Sequence, residues 1–83
     1  MKKKNKYKIG ILGGTFDPPH IGHIKISVEA KKRYKLQKVI WSITKRNPFK
    51  KKSFFGLEKR ISLSKNIVKK YSFIKVKYFE DKI

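Results

Sequence analysis

A chain of 83 residues that is 39% hydrophobic and 13% aromatic can build one small domain, and it is too apolar for a disordered segment. It contains no cysteine, which excludes a disulfide framework and a thiolate zinc site and fits a reducing cytoplasm, while the absence of long apolar runs and of a signal-like start at Met1 to Lys8 argues against a membrane. The formal charge of +19 would suit a polyanion, but only Arg33, Arg46 and Arg60 are arginines and the lysines are dispersed, so a solvated basic surface is favoured over a nucleic-acid interface.

Residues 1–6 read as a basic tail. Tyr7 to Leu12 has the alternating and then continuous apolar character of a first strand, which Gly13 and Gly14 are expected to stop. The Pro18-Pro19 pair forbids helix immediately before it, and Ile21, Ile24 and Val28 are spaced for one face of a helix over about 20 to 34, with lysines opposite. Val39, Ile40, Trp41 and Ile43 form a buried strand in which Trp41 is a core residue. A basic, turn-rich loop from Lys45 to Ser53 follows, and then Leu57, Ile61, Leu63, Ile67 and Val68 return to helical spacing over about 55 to 70. Phe73 to Phe79 alternates as a third strand with Ile74, Val76 and Tyr78 on one side.

The order βαβαβ predicts an α/β, Rossmann-like parallel sheet with strand order 3-2-1, because crossovers between parallel strands are right-handed. Residues 7–83 would then be the first, N-terminal half of a doubly wound domain, truncated before the strand order reverses. A missing C-terminal half or a second copy would complete it, and the first strand should show an exposed apolar edge. Ligands in such sheets sit beyond the carboxyl ends of the strands.

That position is occupied by Gly13-Gly14-Thr15-Phe16-Asp17-Pro18-Pro19-His20-Ile21-Gly22-His23. The glycines do not fit GxGxxG, and no Gly-Lys-Ser/Thr follows for a Walker loop. Gly13 and Gly14 let the backbone approach a ligand closely. His20 and His23, three apart at a helix start, share the face of the first turn where free N–H groups and the helix dipole favour an anion, and both imidazoles can donate to phosphate oxygens. Gly22 between them removes a side chain that would crowd those oxygens. A metal site using both histidines with Asp17 lacks an evident third firm ligand, and a purely structural turn is the other reading.

The segment GGTFDPPHIGH resembles the signature of the HxGH nucleotidyltransferases. Beyond it, Val39-Ile40-Trp41, Asn47-Pro48-Phe49-Lys50, Leu57-Glu58-Lys59-Arg60 and the strand ending at Glu80 resemble the nicotinate mononucleotide adenylyltransferase branch, so the resemblance covers essentially the whole chain. It implies transfer of AMP from ATP to nicotinate mononucleotide, with Mg²⁺ present and pyrophosphate released. It also implies that His20 and His23 hold ATP phosphates in the transition state, that Thr15 contacts the α-phosphate, and that the backbone of Gly13, Gly14, Thr15 and Phe16 lines the cleft. Lys50 would be a phosphate ligand, or else a solvated charge among Lys50, Lys51 and Lys52. Two other functions stay open: a phosphopantetheine adenylyltransferase or cytidylyltransferase of the same superfamily, which the Asn47 to Lys50 loop disfavours, and a non-catalytic basic module on nucleic acid, in which the signature loop has no role.

Overall fold

A computed structural model describes residues 7–45 and 55–79; the basic tail, the stretch 46–54 with Asn47, Pro48 and Lys50, and Glu80 lie outside the described residues. Five elements follow in order: β1 (Ile9–Gly14), α1 (Ile21–Tyr34), β2 (Lys38–Ile43), α2 (Leu57–Ile67) and β3 (Ile74–Tyr78). The three strands are parallel, β2 lies in the middle, and the order is the expected one.

β1 does not stop at Leu12. It runs through both glycines, with Gly13 opposite Ser42 and Gly14 opposite Ile43. No glycine has positive φ, and Thr44 N–H donates to the Gly14 carbonyl at 2.9 Å. A neighbouring strand that satisfies the peptide groups outweighs the weak intrinsic strand preference of glycine.

The core is Phe16, Ile24, Val39, Trp41, Ile43, Val68 and Ile74. Val39, Trp41 and Ile43 alternate on β2 and are almost wholly buried, and burying each large apolar side chain is worth roughly 1.5–3 kcal/mol. The expected stripe on α1 is only partly right, since Ile24 is buried and Val28 packs against the core, but Ile21 is 59% exposed. Ser27 takes its place inward because it has a polar partner there. Leu36, just beyond the left-handed cap at Lys35 (φ 54°), lies over Gly10, where an added Cβ would come within 2.6 Å of the leucine Cδ1.

Parallel sheets ordinarily have both faces covered, and an apolar edge strand is a liability that most proteins blunt or cover. Here β1 is paired on one side only, Ile9 and Ile11 on it are 45% and 70% exposed, and an apolar groove of about 260 Å³ is lined by Gly10, Ile11, Leu12, Ile26, Ala30 and Tyr34. This is the exposed edge expected of the first strand.

α2 is shorter than expected, ending at Ile67, because Val68 leaves the helix (ψ 4°) and turns its buried side chain into the core. Its most buried residues are polar, Arg60 and Ser64, with Leu57, Ile61 and Ile67 flanking them. The Ser64 hydroxyl is fully buried without a hydrogen-bond partner among the described residues. An unmet buried hydroxyl and the lower helix propensity of serine act in the same direction, so Ser64→Ala should raise stability by about 1 kcal/mol in urea unfolding. A loss of stability would mean that the hydroxyl is satisfied in solution.

Candidate functional site

The loop from β1 to α1 is fastened by a column of rings. Trp41 reaches up from β2, Phe16 stacks on it with centroids 4.8 Å apart, His23 lies 4.5 Å from Phe16, and His20 lies 4.1 Å from His23. Phe16 is 2% exposed and has φ 51°, a left-handed conformation that costs a bulky residue about 1–3 kcal/mol. Seating its ring on Trp41 offsets that cost. Trp41 Nε1 donates to Ser27 Oγ at 2.8 Å, and Ser27 donates to the His23 carbonyl at 2.9 Å, so the column and the first turn of α1 hold one another.

His20 is the N-cap of α1. Its Nδ1 accepts from Gly22 N–H at 3.0 Å, and His23 Nδ1 accepts in return from His20 N–H at 3.0 Å. An Nδ1 that accepts cannot carry a proton, so each neutral ring carries its proton on Nε2. Both side chains are therefore held as Nε2–H donors at a helix N-terminus, where anions are favoured. Burial, reinforced by the His20 imidazole, lowers the His23 pKa below its ordinary 6.5.

Gly22 has a different reason from the one expected. A Cβ there would lie 2.7 Å from His20 Cε1 and 2.9 Å from Nδ1, so glycine makes room for the capping imidazole itself. Gly13 and Gly14 differ again: an added Cβ would meet nothing closer than 4.0 Å at Gly13 and 3.6 Å at Gly14. Packing within the fold does not demand glycine at either place.

Thr15, Phe16, His20 and His23 are thus brought together at the carboxyl end of β1 beside the end of β2. Lys50 lies outside the described residues. The metal reading for His20, His23 and Asp17 meets a geometric difficulty, because both Nδ1 atoms and Asp17 Oδ1 are engaged by backbone N–H groups, Asp17 by that of Phe55 at 2.7 Å. Among the described residues no group of three or more histidine or acidic side chains is placed to hold a metal.

Arg60 is the residue that motif reading undervalued. It is 1% exposed and donates to four backbone carbonyls: Phe55 from Nε at 3.0 Å, Thr15 and Thr44 from Nη1 at 2.9 and 2.7 Å, and Lys45 from Nη2. A signal was available. Position 60 lies on the same helical face as Leu57 and Ser64, and an arginine there in a chain whose other cations are nearly all lysines suits a buried fork of several fixed donors.

The lowered His23 pKa has a sign that can be checked. The unfolded chain takes up a proton near pH 6.5 that the folded chain resists, so this contribution to stability is present above about pH 6.5 and is lost as pH falls toward the folded value. Urea midpoints measured at about pH 7.5 and 5.5 should fall more for the parent chain than for His23→Asn. Equal falls would show that His23 is not the group responsible.

A family model described as cytidylyltransferase-like matches residues 11–82. The chain is 55% identical over 80 residues to a probable nicotinate-nucleotide adenylyltransferase of Pelagibacter ubique, covering 96% of this chain and 44% of that protein. Proteins of the same description match from Cereibacter sphaeroides, 41% identical over 74% of this chain and 33% of the relative, and from Listeria monocytogenes, 51% identical over 54% of this chain and 24% of the relative. The chain thus spans less than half the length of these relatives.

Proposed function

This chain belongs to the cytidylyltransferase-like family, and from that premise we propose that it is the nucleotide-binding part of an adenylyltransferase that joins nicotinate mononucleotide to ATP. The observation that carries this reading is the reciprocal cap of His20 and His23, which leaves two Nε2–H donors at the start of α1. The names of the relatives support the acceptor, as does the loop containing Asn47 and Lys50.

In the reaction, a phosphate oxygen of nicotinate mononucleotide forms a bond to the α-phosphorus of ATP. The bond from that phosphorus to the bridging oxygen breaks, and pyrophosphate leaves. No protein nucleophile is needed; what is needed is alignment of two polyanions and donors where negative charge grows. His20 and His23 supply those donors from a rigid helix start, Thr15 contacts the α-phosphate, and the backbone from Gly13 to Phe16 lines the cleft. An added Cβ would make only ordinary contacts at Gly13 and Gly14, so the fold itself does not call for glycine there, and a close approach of ligand to backbone supplies a reason for it. Lys50 adds a phosphate contact that acts on affinity. Mg²⁺ would accompany ATP on the phosphate oxygens and water, consistent with its usual reluctance to enter an all-protein cage.

Adding ATP with Mg²⁺ to the 83-residue chain should shift the amide resonances of residues 13–23. Shifts elsewhere with that loop silent would sink the proposal, and a response to CTP but not ATP would move the reading to a cytidylyltransferase.

A further inference from the structure

Parallel ladders follow a fixed rhythm, and β1 and β2 break it. In such a ladder a residue's carbonyl accepts from the partner strand, and the N–H two residues on donates to the partner carbonyl one rung further. Gly14 is opposite Ile43, and Thr44 N–H donates to the Gly14 carbonyl at 2.9 Å. The next rung would be Phe16 N–H to the Thr44 carbonyl. Instead that carbonyl accepts from Arg60 Nη1 at 2.7 Å, and the same Nη1 takes the Thr15 carbonyl at 2.9 Å.

We propose that Arg60 is a positioning residue: it ends the β1–β2 ladder one rung early and turns the Thr15–Phe16 peptide so that the Phe16 N–H is a free donor for an anionic ligand. The orientation follows from peptide geometry. In a trans peptide the C=O and N–H point in opposite directions, so a Thr15 carbonyl held on the buried guanidinium directs the Phe16 N–H away from it. The Phe16 N–H makes no hydrogen bond among the described residues. The Thr44–Lys45 peptide is held in the same way, and the bond from Nε to the Phe55 carbonyl ties α2 and the returning chain into the wedge. A guanidinium suits this task because its donors form a planar fork, whereas a lysine ammonium is a point charge on a flexible stem. That the ligand is a nucleotide phosphate rests on the function proposed above; the broken ladder does not.

The test uses the 83-residue chain, amide exchange and titration with inorganic triphosphate. In the parent chain the Phe16 amide should exchange quickly while those of Leu12 and Thr44 are protected. A protected Phe16 amide overturns the proposal without any variant. Arg60→Lys keeps the charge but not the fork, so with its Trp41 emission unchanged it should lose on the order of tenfold in triphosphate affinity, the value of about one directed hydrogen bond. Lys59→Gln, on the exposed side of α2, removes a charge only and should stay within about twofold. Folded Arg60→Lys that binds as tightly as the parent would refute the positioning role. If the parent shows a fast Phe16 amide but triphosphate leaves residues 13–23 unmoved, the early end of the ladder stands and it is the nucleotide reading that fails.

Discussion

Replacing His23 with alanine will depress turnover by a factor on the order of 100 to 1000, the usual cost of removing one preorganised donor aimed at developing charge. The measurement is steady-state release of pyrophosphate from ATP and nicotinate mononucleotide, in a hybrid that joins this chain to the remaining length of one of its relatives. ATP binding should weaken far less than turnover. The His23 Nε2–H is held in place by Trp41, Phe16 and the His20 N–H before any ligand arrives, and a fixed donor gains most where the charge is greatest, in the transition state. Part of the loss is structural, because His23 also accepts from His20 N–H, and losing such a cap costs about 0.5–2 kcal/mol of stability. Thermal unfolding of the same variant separates the two contributions. Unchanged turnover in a folded hybrid would remove His23 from the chemistry.

Gly22→Ala should be nearly as damaging to activity and almost neutral for stability. The new Cβ would overlap the His20 ring at 2.7 Å, and the ring, being exposed, can swing aside more cheaply than the backbone can move. The Nδ1 bond to Gly22 N–H is then lost, and with it the aim of the Nε2–H donor, for an expected fall in turnover on the order of 100-fold. Stability changes little because two effects oppose. Alanine in a helix gains up to about 1 kcal/mol over glycine, while the lost cap costs about as much. If Gly22→Ala kept full activity, the reciprocal cap would not be what orients His20. If it unfolded the chain, glycine would be demanded by packing not visible at this position.

Much of this molecule was legible in one dimension. Hydrophobic spacing places all five elements, and right-handed crossovers then leave few orders for three parallel strands, of which the sheet takes the expected 3-2-1. The signature loop is contiguous, so the site's location at the end of β1 is a local property of residues 13–23. What chain order could not convey depends on groups distant in sequence. The strand continues through Gly13 and Gly14 because β2 offers peptide partners, which outweighs the local tendency of glycine to break it. Ser27 faces inward because the Trp41 N–H, fourteen residues away, needs an acceptor. Gly22 is required by an imidazole and not by a phosphate, a distinction visible only once the His20 ring is in its capping position. Arg60 shows the difference most clearly. Composition marks it as one of three arginines, yet its place comes from carbonyls at Thr15, Thr44, Lys45 and Phe55, which only the folded chain collects around one guanidinium. Periodicity reports which faces avoid water; it carries no information about which buried polar groups must find one another, because that is settled by directed bonds across the tertiary structure.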